Sequence, residues 1–324
     1  MDEFSFIQSI RQQTYNQSSL LKGGGDDAAV FRHPTEDVVT AVDTFVEHIH
    51  FSRETMEPMH IGYRALAANV SDLAAMGATP TYYLVAIVIP KTWAEEELKD
   101  IFLGMKTLAD MYHMDLIGGD TVGGNELTVS VTVFGSVEKG KARFRHAAED
   151  GDVVFVTGTL GDSQAGLYAL THPNYNMKGK QYFIHRHRQP SPRIEFSSQL
   201  RTISRLALND ISDGIANEAR EIAEASKVTI YLNDQHVPVH PLLNQFSLEN
   251  QRKWKYFGGE DFELVGTVSK KDWAIVEKVA AQTNTKVTKI GYVTSNEQLN
   301  GQVFLYDKSG KQKRLKKEGY IHLK

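Results

Sequence analysis

The sequence predicts a mixed α/β (α+β) protein of two domains, residues 1–138 and 139–324. Three observations carry that expectation. The chain has 324 residues, about twice the length of an average single domain. Strand-like and helix-like periodicities alternate through both halves, the signature of mixed architecture. Between the halves, Glu138 to Asp152 is polar and charged, with Gly140 and Gly151 as turn residues.

In the first half, the β-branched run Val38 to Val42 predicts a buried strand. Apolar residues at helical spacing predict a helix from Met59 to Met76, stopped by Gly77 with Pro80 beyond it. Leu84 to Ile89 predicts a second strand, and Trp93 to Tyr112 a second amphipathic helix. Leu127 to Val137 alternates valine with hydroxyl residues and predicts a half-buried strand, in a mixed or antiparallel sheet or completed by a second subunit. In the second half, strands are predicted at Val153–Val156, Leu206–Ile211, Val228–Leu232, Phe262–Val268 and Val287–Val293. Helices are predicted from Gly161-Asp162, over Arg193–Leu206, from Gly214 through Ala225, and over Lys271–Gln282.

Composition excludes several classes. There are no cysteines, so a disulfide scaffold, a thiolate zinc site, an iron–sulfur centre and a cysteine nucleophile are all ruled out. Net charge is −4 and the basic residues are scattered, which predicts no nucleic-acid partner. No window approaches the ~20 apolar residues of a membrane span, and the acidic start Met1-Asp2-Glu3-Phe4 is unlike a signal peptide. A cytoplasmic protein is expected.

The aspartates are the informative residues. Asp26 and Asp27 follow Gly23-Gly24-Gly25, Asp43 ends a strand, Asp120 follows Gly118-Gly119, and Asp210 and Asp213 flank Ser212. Taken singly, each fits an ordinary turn or helix cap. Asp72 is different, because aspartate is a poor residue inside a helix and none of its sequence neighbours is cationic. Taken together, acidic side chains on glycine-relieved turns suit hard, oxygen-ligated cations such as Mg²⁺, which are commonly shared with substrate phosphates. No P-loop, protein-kinase signature or nucleophile elbow is present, so a nucleotide here is expected to be held by metal and aspartates.

Gly25-Asp26-Asp27-Ala28-Ala29, Val42 to Phe51, Asn69 to Pro80 and Ile117 to Thr121 resemble, in order, the motifs of the thiamine-monophosphate kinase family. So do Val156 to Ser163, Asp210 to Gly214, Gly258 to Leu264 and Gly319 to His322. The resemblance implies transfer of the ATP γ-phosphate onto thiamine phosphate. It also implies a two-domain fold like aminoimidazole ribonucleotide synthetase, whose N-terminal sheets pair across a homodimer and place ATP and metals near the interface. It puts magnesium ligands at Asp27, Asp43, Asp72, Asp120, Asp210 and Asp213. ATP contacts fall on Tyr112, Gly119, Asp120, Arg145 and Ser212, and substrate contacts on His50, Glu260 and Tyr320. Two departures stand out. Ala41-Val42 replaces residues that are often hydroxylic in the family, and Glu47-His48-Ile49-His50 replaces its common Glu-Gly-Val-His.

Because the acceptor phosphate is already anionic, no general base is expected, and direct in-line transfer would rest on positioning and charge neutralisation by metal. Simpler readings exist for several residues: Arg145 as an exposed linker arginine, His50 beside a strand end, Tyr320 packing the C-terminus. His185, Arg186, His187 and Arg188 resemble a metal or anion cluster but read as a helix end before Pro190 and Pro192, and Lys308 to Lys317 as a solvated face. Aminoimidazole ribonucleotide synthetase is the alternative enzyme, and a dimeric, metal-dependent nucleotide sensor the alternative outside catalysis. The absence of cysteine argues against selenophosphate synthetase and the hydrogenase-maturation member.

Overall fold

The computed structural model describes residues 20–22, 29–32, 35–307 and 309–316. Its first half is a six-stranded sheet of β1 (Leu20–Lys22), β2 (Ala29–Arg32), β3 (Glu36–Val46), β4 (Thr79–Pro90), β5 (Asp115–Gly124) and β6 (Thr128–Glu138). The order is β1-β2-β3-β6-β4-β5, and only β4 and β5 run parallel. Helix α1 (Pro58–Ala75) packs on β3 and β6, and α2 (Glu95–Met111) packs on α1.

The valine alternation of β6 records a sheet with one covered face. Val129, Val131 and Val133 are fully buried in the core containing Leu66, Val70 and Leu73 of α1. The expected completion of β6 by a second subunit does not hold, because β3 and β4 already flank it on both edges. The edge left open is β5, all ten of whose residues are exposed. Its glycine-rich sequence carries no strand periodicity, which is why it went unpredicted.

Helix α1 is almost wholly buried, and two glycines allow this. A Cβ on Gly62 would stand 1.7 Å from the Ile101 carbonyl oxygen, and one on Gly104 1.8 Å from that of Met59. The two helices therefore cross backbone to backbone, each glycine facing the other helix.

The second half is a seven-stranded sheet in the order β13-β12-β9-β11-β7-β10-β8. Its strands are β7 (Val153–Thr157), β8 (Leu206–Asp210), β9 (Thr229–Asn233), β10 (Leu264–Val268), β11 (Val287–Thr294), β12 (Gln302–Tyr306) and β13 (Gln312–Arg314). The helices are α3 (Asp162–Thr171), α4 (Lys180–Arg188), α5 (Ile194–Gln199), α6 (Ile215–Ser226), α7 (Leu248–Phe257) and α8 (Trp273–Gln282). All five residues of β7 are buried because both faces are covered. Val153 and Phe155 join the core shared with α1 and the first sheet, whereas Val154 and Val156 join a separate core with α6.

One expectation needs correction. The helix predicted over Arg193–Leu206 ends at Gln199, passes through a single 3₁₀ turn (Leu200–Thr202) and gives way to β8. The basic His185–Arg188 stretch, read from the sequence as a helix end, is the last turn of α4. Among the described residues, no helix is long and apolar enough to cross a membrane.

The glycine crossing sets a measurable expectation. Gly104→Ala should cost about 1–3 kcal/mol of stability through overpacking against backbone. Chemical denaturation checks it, and an unchanged midpoint would refute the close crossing.

Candidate active site

The turn after β8 and the turn before β10 clasp each other through backbone hydrogen bonds. Glu260 N–H donates to the Ser212 carbonyl at 2.6 Å, Phe262 N–H to Ile211 O at 3.0 Å, and Ile211 N–H to Glu263 O at 2.7 Å. Glycine is needed on both strands of this clasp. A Cβ on Gly259 would meet the Ser212 oxygen at 2.3 Å, and Gly214, at φ +98°, has the Phe257 backbone 2.9 Å from where its Cβ would stand. Asp210, Ser212, Asp213 and Glu260 are thereby brought to one place.

A third element joins them. Ser71 of α1 donates its hydroxyl to Asp210 Oδ2 at 3.0 Å, a fully buried bond across 139 residues of sequence. Asp72, the mid-helix carboxylate, is the next residue, and it too makes polar or charged contacts. Sequence reasoning overlooked Ser71, because a serine inside a helix gives no signal of what it will face.

Behind the Asp210 turn lies a carboxylate that sequence reasoning also passed over. Glu218, in the first turn of α6, accepts from Asp213 N–H at 3.1 Å and from the Asn209 amide at 2.8 Å. Burial, then the neighbouring charges of Glu221, Asp210 and Asp213, push its carboxyl well above the ordinary range. The nearby cation is Arg145, whose Nε donates to Asn209 Oδ1 at 3.1 Å and whose guanidinium lies 3.1 Å from Glu221. Arg145 is 14% exposed, so it is an anchored residue and not a loose linker arginine.

The other expected residues are placed as follows. Asp43 lies on the helix-covered face of the first sheet, level with Val131 and Val85, and burial raises its carboxyl. Asp120 aligns with Ala86 and, across β4 and β6, with Ser130 and Thr44, which puts it on the opposite, open face. One chain therefore does not bring Asp120 to Asp43. Gly119 fits against β4 where a Cβ would stand 1.9 Å from the Val85 oxygen. His50 Nδ1 accepts from Val46 N–H at 3.0 Å, and its ring sits 5.2 Å from Phe45. The hydroxyl of Tyr112 donates to Pro192 O at 2.9 Å, and burial followed by Tyr63 pushes it up to about 12. Asp27 and Tyr320 fall outside the described residues.

The described residues contain no group of three or more acidic or imidazole side chains forming a ready-made metal cage. Magnesium does not require one, since it is usually bound by one or two carboxylates with water and substrate phosphates. The donor set fits such an ion: oxygen ligands only, in a carboxylate-rich region.

Around this region, buried ion pairs hold the second half together. Glu263 accepts from Arg193 at 2.5 and 2.7 Å, from Arg186 at 2.8 Å and from Thr157 at 2.7 Å. Burial alone would raise its carboxyl, but Arg193, then Arg186 and Thr157, outweigh burial and hold it low. Asp261 accepts the N–H groups of Gly161 and Ser163 at the start of α3, and burial beside Asp162 pushes it up to about 8.

This two-domain arrangement, with its clasped acidic turns, is that of the AIR synthase-related proteins. Residues 25–137 match the description "AIR synthase related protein, N-terminal domain" and residues 149–304 the corresponding C-terminal domain. The chain is 46% identical to the thiamine-monophosphate kinase of Bacillus subtilis (strain 168) over the full length of both. It is 34% identical to that of Escherichia coli (strain K12), covering 93% of this chain and 91% of the other. Among solved structures, one described as AaThiL complexed with AMPPCP and TMP superposes with a TM-score of 0.85 at 28% identity, covering 99% and 97% of the two chains. The thiamine-monophosphate kinase of Stenotrophomonas maltophilia K279a superposes with a TM-score of 0.78 at 31% identity, covering 95% and 97%. The chain belongs to the thiamine-monophosphate kinase family.

The Glu263 cluster has a pH consequence. Its folded carboxyl lies below its ordinary value of 4.5, so its stabilisation is complete above that pH and is lost as pH falls through the lower folded value. Glu263→Gln should cost about 3–5 kcal/mol at neutral pH, the scale of breaking a buried pair. Melting curves should show that gap narrowing below pH ~4.5; a gap independent of pH would show Glu263 is not held ionised.

Proposed function

We propose that the chain phosphorylates thiamine monophosphate with ATP, giving thiamine diphosphate by direct transfer of the γ-phosphoryl group. Family membership supports this, and so does the relative described with an ATP analogue and TMP bound together. The observation that carries the reading is the hydrogen bond from Glu260 N–H to the Ser212 carbonyl. It places the residue expected to contact the acceptor beside Asp210 and Asp213, the residues expected to hold metal.

The ATP triphosphate and the acceptor phosphate bring about five to six negative charges together near neutral pH. Bound Mg²⁺ would supply charge neutralisation and template the in-line geometry. Several such ions would be held by Asp210, Asp213, Asp72 and Asp43, with Asp27 and Asp120 completing the set. Arg145, tethered by Asn209 and Glu221, is aimed by those partners and serves as a fixed cation for ATP phosphate. Ser212, Gly119 and Tyr112 complete the nucleotide contacts; His50, Glu260 and Tyr320 complete those to the acceptor. With Nδ1 accepting from Val46, neutral His50 carries its proton on Nε2 and can donate there.

Residues 1–138 supply the sheet, and residues 139–324 the clasped turns. A second copy of the chain covers the open face of the first sheet. That face and its edge expose Val42, Tyr82, Leu116, Ile117 and Val122, an apolar surface with an unpaired strand beside it. Asp120 lies on the same face, so dimerisation gives it a route to a site it does not reach within one chain. The setting is cytoplasmic.

Two measurements test this. ADP release should require both thiamine monophosphate and Mg²⁺, should stop with chelator, and should fall at least ~100-fold in Asp72→Asn without loss of fold. ATP binding without acceptor-dependent turnover would instead identify a nucleotide sensor. Ser71→Ala should raise the Mg²⁺ concentration for half-maximal turnover by about 10-fold, as loss of a residue orienting a metal ligand does. An unaltered Mg²⁺ dependence would remove Ser71 from the site.

A further inference from the structure

Arg64 is the largest fully buried side chain among the described residues, with none of its surface exposed. It lies on α1 seven residues before Ser71, so the two project from the same helix face two turns, about 10 Å, apart. That face looks onto the second half of the chain, since α1 packs against α4, α5 and β8. Ser71 reaches the Asp210 turn, as described above. Arg64 reaches the other strand of the clasp, its terminal nitrogen 2.5 Å from Glu260 Oε2.

The guanidinium is held from three sides. Glu260 faces one terminal nitrogen, His187 Nδ1 lies 3.3 Å from the other, and the Phe262 ring centre is 5.7 Å from Cζ. Arginine can only donate, so His187 must accept at Nδ1. That fixes the neutral tautomer with its proton on Nε2. Burial, then the charges of Arg64 and Arg188, hold the imidazole well below its ordinary pKa, in keeping with this assignment. Ser163 also contacts Nδ1, at 3.1 Å, so the histidine is set by α3 and α4 together.

Glu260 needs such support. It is a non-glycine residue at φ +67°, a strained left-handed conformation that persists only where neighbours impose it. Its backbone is tied to Ser212, while its side chain is 27% exposed. A carboxylate on a strained turn, partly open to solvent and backed by one buried cation, is presented to a ligand in a single orientation.

We propose that Arg64 is the positioning residue of the acceptor subsite, aiming the Glu260 carboxylate at the thiamine moiety from behind, with His187 as its brace. This rests on the reading of Glu260 as a contact to thiamine monophosphate. Helix α1 then acts as a spacer between two subsites. Ser71 orients the metal-site carboxylate, and two turns earlier Arg64 orients the acceptor-site carboxylate. Neither touches substrate.

The test is a kinetic cycle on the full-length protein with Arg64→Lys, Glu260→Gln and the double variant. Lysine keeps the buried charge but lacks the fork that spans His187 and Glu260 at once. Arg64→Lys should melt near the wild type, raise KM for thiamine monophosphate about 3- to 10-fold, and leave kcat and KM for ATP within about twofold. In the Glu260→Gln background, Arg64→Lys should add nothing further to that KM. An unchanged acceptor KM in Arg64→Lys overturns the proposal. So does an effect that persists undiminished in the double variant, or a loss spread equally over both substrates and kcat. If Glu260→Gln itself leaves the acceptor KM unchanged, the role given to Glu260 fails and Arg64 has nothing to position. A wild type without acceptor-dependent turnover would mark failure of the kinase reading itself. Direct titration of thiamine monophosphate onto the folded variants reads the same difference if turnover is too slow to measure.

Discussion

Carboxylates packed close together out of water repel one another, and the second half of this chain concentrates that repulsion instead of relieving it. Asp210, Asp213, Glu218 and Glu221 crowd the end of β8 and the start of α6, and Arg145 is the cation set against them. Elsewhere in the same half, two buried acids are neutralised by arginine. Glu263 has two arginines, and Asp152 receives a two-pronged contact from Arg205 at 2.6 and 2.7 Å. The contrast separates carboxylates that stabilise the fold from those kept under electrostatic stress. A divalent cation would relieve stress of this kind.

The stressed turn would not hold its shape alone. It is pinned by the backbone clasp to Gly259 and Glu260, and by α1, which lies between the two sheets as part of a continuous core. That helix can approach so closely on its other side only because Gly62 and Gly104 remove side chains from its crossing with α2. A packing feature of the first half thus controls where polar groups of the second half sit. Sub-ångström placement matters for phosphoryl transfer between two anions, where catalysis is largely positioning.

Much of this architecture was legible in the sequence, and the failures are instructive. Strand β6 announced itself through period-two alternation, β3 and β4 through β-branched and apolar runs, and helices α1 and α2 through apolar residues at helical spacing. Strand β5 did not, because Gly118, Gly119, Gly123 and Gly124 give no alternation and its neighbours are all exposed. Helix α4 was legible only at its end, His185 to Arg188, because its sequence is largely polar and only Phe183 and His187 are buried. In the site, aspartates on glycine turns were visible as a set. Ser71, Arg64 and Glu218 were not, because their significance lies in partners 139, 196 and 5 residues away that only the fold brings into contact.

Two of the three residues expected to meet the acceptor, Glu260 and His50, are set by left-handed backbone. Glu260 itself occupies the left-handed region, and His50 follows a bend in which His48, at φ +66°, does the same. His48 carries a side chain in a conformation that favours glycine, so the bend is held at the cost of strain. The bend survives because it is over-determined: His48 N–H donates to Phe51 O at 2.7 Å, His50 N–H to Val46 O at 2.9 Å, and Val46 N–H back to the His50 ring at 3.0 Å. The Glu260 turn is locked in a parallel way, by Ser212 on the backbone side and Arg64 on the side-chain side. Strain held in place by rigid partners keeps a polar group aimed before a ligand arrives, so that binding need not spend entropy ordering it.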